Sequence, residues 1–388
     1  MCTFIKLACL CWRWGGSPTN RKLDRTLAVA LVAAGLVALS GLYWFLVINP
    51  SPAGKKPLRV GHLVADELHQ PGWSVAQELG FMSDEGFEPV NMEYMHGPAE
   101  MEHFAAGELD VAYVGAAPFL TARAAGVDIV AVASSNTEGS SVVAAYEIRD
   151  VADLNGKKVG SPGIGTIQDY MLTRVEENYG VSFAHFYAKI TDLILYFERG
   201  EIDAYIGWEP HPTRAVVEVI RGAHTLLTSH DILPGHQCCV LAVRGDLMRD
   251  SPEVVAAVVR WHTRAQRWVL DHPEAAEEVI ARYSGLSVNL IHAAHPVVQH
   301  NYPPYADLLS MRIILQGLIS SGKIDPADVP NVDSFLEHAV DNTFVASLVQ
   351  TQRRDLGFTF HLHLTASLPL SHWLHGTSRL SRSQGRRV

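Results

Sequence analysis

Cysteine is scarce in this sequence, with five in 388 residues. Cys2, Cys9 and Cys11 crowd the first dozen residues, and Cys238 and Cys239 are adjacent. That placement excludes a multi-disulfide scaffold, and no Cys-x-x-Cys pair sets out a metal-ligand frame. A basic face is missing too. The chain holds 31 Lys/Arg against 41 Asp/Glu, yet both ends are basic, with five Lys/Arg against one Asp in residues 1–25 and six Arg against one Asp in 348–388. The acidity therefore sits between them, which argues against a nucleic-acid partner. Catalytic signatures are absent as well. Ser140 and Ser141 lack a Gly-x-Ser-x-Gly setting, and no Gly-Lys-Ser/Thr follows the glycine loop Gly160–Thr166. Neither a catalytic set, a cofactor nor a resident metal is expected.

One long apolar run is present. Thr26 to Ile48 is 23 residues without a charge, enough at about 1.5 Å per residue to cross a bilayer core. Arg21, Lys22 and Arg25 precede it, so the positive-inside rule puts residues 1–25 in the cytoplasm and everything after Ile48 outside. Leu39-Ser40-Gly41 looks like a lipoprotein box, but Leu42 stands where the lipid-bearing cysteine belongs. The run is therefore read as a retained signal anchor at the cell membrane, with the body facing the periplasm or cell exterior.

After a Pro/Lys linker at 49–57, strand-like and helix-like segments alternate. Leu58–Leu63, Pro89–Tyr94, Asp110–Val114 and Ile129–Val132 read as strands. Trp73–Leu79, Pro98–Ala106 and Phe119–Ala125 read as helices closed by Gly80, Gly107 and Gly126. The pattern repeats more loosely from Val142 to Val243, and residues 251–347 are mostly helical. These repeats predict an α/β fold of two lobes: 58–142 plus 243–347 form lobe 1, and 143–242 form lobe 2. The crossovers fall near 142–146 and 238–243. Residues 348–388 lack periodicity and read as a disordered tail. A ligand belongs between such lobes, at the C-terminal ends of the strands.

Four segments carry a resemblance: Val75–Val90 (VAQELGFMSDEGFEPV), Ala106–Ala112 (AGELDVA) followed by Gly115, Asp153–Gly160 (DLNGKKVG) and Glu198–Ala204 (ERGEIDA). In this order and spacing they resemble the nitrate/sulfonate/taurine type of ABC-importer substrate-binding protein, a group that includes binders of thiamine-pyrimidine precursors. The likeness spans roughly residues 58 to 345. It implies a type II periplasmic-binding-protein clamshell with a helical C-terminal part, a small-molecule ligand, and a permease and ATPase as partners. It also implies cleft loops at Asp66–Trp73, Gly115–Pro118, Glu138–Val142, Ser161–Gln168, Trp208–His211 and Gly235–Cys239. The rival is an enzyme, because a fungal thiamine-pyrimidine synthase shares the scaffold; that relative is cytosolic and cysteine-rich, unlike this anchored chain.

Ligand contacts are expected from Gly115, Ala116, Pro118, Ser140, Ser141, Gly165 and Thr166. The last two belong to a glycine loop opening a helix, with Thr166 and Asp169 spaced as a cap and its third residue. Trp208-Glu209-Pro210-His211 offers an indole face beside a carboxylate, with Trp73 as the opposing wall. His236, Cys238 and Cys239 complete the set. The cysteine pair allows a soft metal site with Glu209 and His211, two reduced core thiols, or a strained vicinal disulfide lining the cleft; the disulfide is the expectation carried forward.

Overall fold

The computed structural model describes residues 55–355. The chain forms β1 (Lys56–Leu63), α1 (Pro71–Glu78), β2 (Phe87–Tyr94), α2 (Gly97–Ala105), β3 (Val111–Gly115), α3 (Ala116–Ala124) and β4 (Ile129–Glu138). It continues through β5 (Ser140–Ala144), β6 (Lys158–Ser161), α4 (Ile167–Tyr179), β7 (Ala184–Tyr187), α5 (Ile190–Glu198), β8 (Ala204–Trp208), β9 (His224–Thr228) and β10 (Gln237–Arg244). Then follow α6 (Pro252–Asp271), α7 (Pro273–Ser284), β11 (Val298–Gln299), α8 (Leu308–Ser320), α9 (Val332–Ala339) and α10 (Thr343–Asp355). Helices of seven residues or fewer, such as Gly245–Asp250 and Val288–Ala294, lie between them.

Two sheets result, ordered β11-β4-β10-β3-β1-β2 and β7-β6-β8-β5-β9. β1 runs parallel to β2 and β3, β6 runs parallel to β7 and β8, and β10 is antiparallel to both β3 and β4. Strands β3, β4, β5 and β8 are buried along their whole length, as expected of sheets covered by helices on both faces. Helix breaks follow glycine where φ is positive, as at Gly107 (+75°) and Gly200 (+68°).

The structure moves both crossovers toward the N-terminus. The chain leaves the first sheet at Glu138, turns at Gly139 and enters the second at Ser140. It returns through residues 229–236 and re-enters the first sheet at Gln237. The lobe boundaries at 142/143 and 242/243 are corrected accordingly. The cause is local: Glu138 and Gly139 both have positive φ (+58° and +98°), and this breaks the strand. The two crossovers also bond to each other, since Glu138 N donates to the His236 carbonyl and Gly235 N donates to Glu138 Oε1 at 2.7 Å. A second correction concerns the tail, whose residues 348–355 continue the helix begun at Thr343. Residues 356–388 lie outside the described residues, as does the predicted anchor at 26–48. Among the described residues no helix is long and apolar enough to cross a membrane.

Candidate ligand-binding site

Loops from the C-terminal ends of β1, β3, β6 and β8 meet between the two sheets. They enclose a small cavity lined by Leu63, Asp66, His69, Gly115, Thr166 and Trp208, with Gly97, Pro118, Ile167, Gln168 and Cys239 completing the wall. Its free volume is about 10 Å³, room for roughly one water molecule. Both lobes contribute, so the cleft is closed on its own side chains. Across its mouth Gly163 faces the His96 ring and Gly165 faces Pro98, so near that a Cβ on either glycine would be in van der Waals contact.

The second lobe supplies the α4 N-terminus and the end of β8. Thr166 caps α4 by accepting from Asp169 N at 3.1 Å. Asp169 is fully buried and accepts from Gly165 N (2.9 Å), Tyr187 OH (3.2 Å) and Lys323 Nζ (2.6 Å). Burial alone would raise this carboxyl, but His185, Lys323 and the Gly165 amide hold it at about 2. Gln168 donates to Ser140 Oγ at 3.0 Å, and Ser141 donates to Glu209 Oε1 at 2.7 Å. Glu209 also accepts from Thr213 N at 3.1 Å, and burial pushes its carboxyl up despite these bonds. Trp208 is 2% exposed, meets His211 edge-on, and finds no partner for its indole N–H among the described residues. Burial pushes His211 down to about 4, so its imidazole is neutral at pH 7.

The first lobe supplies a buried sulfur-imidazole cluster. Cys238 Sγ lies 3.7 Å from His69 Nδ1 and 3.9 Å from Cys239 Sγ. Both thiols are free, which corrects the expected vicinal disulfide, whose sulfurs would stand about 2.05 Å apart. The pairing of β10 with β4 shows why the sulfurs nevertheless share one side. Its register shifts at Gln237/Cys239 and again at Cys239/Val240, leaving Cys238 as the unpaired residue of a bulge. The Cys239 thiol, burial in opposition, and His69 together draw the Cys238 thiol well below its ordinary value. Burial would lower His69, but Asp66 and Cys238 raise it to about 9. Asp66, 3.4 Å from His69 Nδ1, is pushed well up by burial.

Of the residues expected from sequence, Gly115, Pro118, Thr166, Trp208 and Cys239 line the cavity. Ser140 stands one hydrogen bond behind it, through Gln168, and Ser141 and Glu209 are buried and bonded to each other. Ala116 opens α3, and Gly165 precedes the α4 cap. His236 is buried with Nδ1 on the Leu233 carbonyl at 2.8 Å and acts on the Cys238 thiol. Trp73 is not the opposing wall. It stacks on His62 at 3.8 Å, bonds Asn91 through its indole N–H, and packs edge-on to Tyr283 inside the first lobe. Helix α1 begins at Pro71, which turns Trp73 away from the cleft, whereas Asp66 and His69 in the preceding loop face it. Asp66 and His69 belonged to an expected cleft loop, yet no local motif marked either as special.

A family model described as the NMT1-like family matches residues 51–284, more than half of the chain. A putative binding protein of Brucella abortus is 25% identical over 233 residues, covering 58% of this chain and 71% of the relative. A putative aliphatic sulfonates-binding protein of Bacillus subtilis is 24% identical over 298 residues, covering 71% of this chain and 84% of the relative. Among solved structures, the periplasmic nitrate-binding protein of Synechocystis PCC 6803 superposes with a TM-score of 0.64 at 13% identity, covering 76% of this chain and 89% of that one. At that identity the match shows the two-lobe periplasmic-binding-protein fold.

Proposed function

The chain belongs to the NMT1-like family, and on that premise we propose that it is an extracytoplasmic solute receptor that captures a small molecule between its lobes and delivers it to an ABC importer. The observation that carries this reading is the cavity itself, walled by residues at the strand ends of both sheets, with Gly163 and Gly165 of one lobe facing His96 and Pro98 of the other across its mouth. Such a site binds by opening and closing, and the relatives are described as binding proteins. The ligand is small and presents an apolar face to Trp208 and a polar group to Thr166 and Gln168. Aliphatic sulfonates, which the Bacillus subtilis relative is named for, head the panel to be tested.

Trp208→Ala tests the reading. Removing the buried indole should weaken binding of the captured solute by about 1–3 kcal/mol, roughly five- to 150-fold. Isothermal titration with the solute released from natively purified protein reads this directly, and unchanged affinity would refute the contact. Membrane attachment through residues 26–48 completes the reading on sequence grounds. The full-length mass recovered from membranes checks it, and a soluble product starting near Gly41 would overturn it.

A further inference from the structure

We propose that His69, Cys238 and Cys239 form a binding site for a thiophilic divalent metal ion of the zinc class, with its open coordination position toward the cavity between the lobes. The three ligand atoms all lie within 4.8 Å of one another, and all three residues are buried. A tetrahedral zinc ion with ordinary bond lengths sets its ligands at the corners of a solid whose S–S edge is about 3.8 Å and whose S–N edge is about 3.6 Å. The observed separations are 3.9 Å between the sulfurs and 3.7 Å between Cys238 Sγ and His69 Nδ1. Two adjacent cysteines on a regular strand would point to opposite faces and could not share an ion. The bulge at Cys238 removes that obstacle.

The donor set selects the metal. Two thiolates and one imidazole suit zinc-class ions, whereas calcium and magnesium take oxygen. Two thiolates also neutralise a divalent charge, so the buried site carries no net charge when filled. Unused donors stand around it. Among the described residues Asp66 Oδ1 and His236 Nε2 are buried without a hydrogen-bond partner, and Asp66 Oδ2 is held by Gln70 at 2.8 Å while Oδ1 lies at ion-pair distance, 3.4 Å, from His69 Nδ1. Asp66, His69 and Cys239 also line the cavity. Three protein ligands with a fourth place open is the arrangement of ions that engage a further molecule. The open place here accepts a donor atom of the captured solute.

The test uses the full chain with Cys2, Cys9 and Cys11 changed to serine, so that only the adjacent pair can supply thiolate. Titration with Co²⁺ should give one equivalent bound, a thiolate-to-cobalt charge-transfer absorption and a tetrahedral visible spectrum, all displaced by Zn²⁺. Cys238→Ser and Cys239→Ser should each weaken the metal more than tenfold, and His69→Gln likewise, while circular dichroism stays native. His272→Ala, at an exposed histidine elsewhere, should change nothing. Cobalt bound without the thiolate band, or undiminished by both serine variants, overturns the site. Solute titration is then repeated after chelation. Loss of solute affinity without metal supports the open position, and equal affinity with and without metal overturns that role while leaving the receptor reading intact.

Discussion

Asp169→Ala should destabilise the protein by about 2–4 kcal/mol, because it leaves a cation and a buried helix entrance without their shared anion. The carboxylate is fully buried and satisfies Gly165 N, Tyr187 OH and Lys323 Nζ at once. Lys323 is 26% exposed, so part of its charge can turn to water, which places the expected cost below that of a wholly buried pair. The link spans the two lobes. α4 belongs to the second, while Lys323 follows α8, which lies beside α3 of the first. Loss of the link should therefore also favour the open cleft. Denaturant unfolding gives the stability, and a double-mutant cycle with Lys323→Ala separates the pair from the rest. Additive effects of the two substitutions would show that Lys323 contributes nothing through Asp169.

The same group fixes a pH dependence with a definite sign. Its folded pKa of about 2 lies below the ordinary aspartate value near 3.9. Its contribution is thus complete above pH ~4 and is lost as pH falls through about 2. His185 runs the other way. The Asp169 hydrogen bond, opposed by burial and aided by Glu176, raises it. Its contribution is complete below pH ~6.5 and is lost as pH rises through the raised value. Asp169→Asn should remove the acid limb and bring His185 back toward its ordinary value, which NMR titration of the imidazole reads.

The architecture was legible because α/β folds write themselves locally. Apolar runs such as Val111–Gly115, glycines closing helices and the four family segments each act within sixteen residues or fewer. The site was half legible for the same reason. Thr166 and Asp169 show a cap spacing, and Trp208 ends an apolar strand. What escaped depends on contacts distant in sequence. His69 is an ordinary loop histidine until the fold sets it against Cys238, 169 positions away. The bulge that turns two adjacent sulfurs to one side arises from pairing with β4, so strand alternation read from sequence could not reveal it. Strand β5 ends at Ala144 although the apolar residues Ala145, Tyr146 and Ile148 follow it, and Tyr146 is 60% exposed; apolar character runs past the point where hydrogen bonding stops. The helix through Asp355 was missed although Phe344, Val345, Leu348 and Val349 recur at helical spacing, because the Arg-rich end masked it.

Gly139→Ala is expected to cost about 3 kcal/mol, combining a backbone term of about 1–2 and an overlap term of similar size. Gly139 is the turn between the two sheets and has φ of +98°, where an L side chain is strained. A Cβ placed there would meet His69 Nε2 at 2.6 Å, His69 Cε1 at 2.9 Å and Val298 Cγ2 at 3.0 Å. The His69 ring cannot swing away freely, since Asp66 lies on Nδ1 and Cys238 packs beside it. Gly235, in the other crossover, supplies the control. Its φ is +68°, and among the described residues a Cβ there meets nothing within 4 Å. Gly235→Ala should therefore show the backbone term alone, near 1 kcal/mol. The difference between the two variants in urea midpoint, at constant slope, isolates the contact with His69. The same contact predicts a functional difference, because displacing His69 alters the cavity wall while Gly235→Ala leaves it untouched. Solute affinity should fall in the first variant and hold in the second. Equal stability loss in the two would mean that His69 moves aside at no cost, and the crossover would then be no more than a turn.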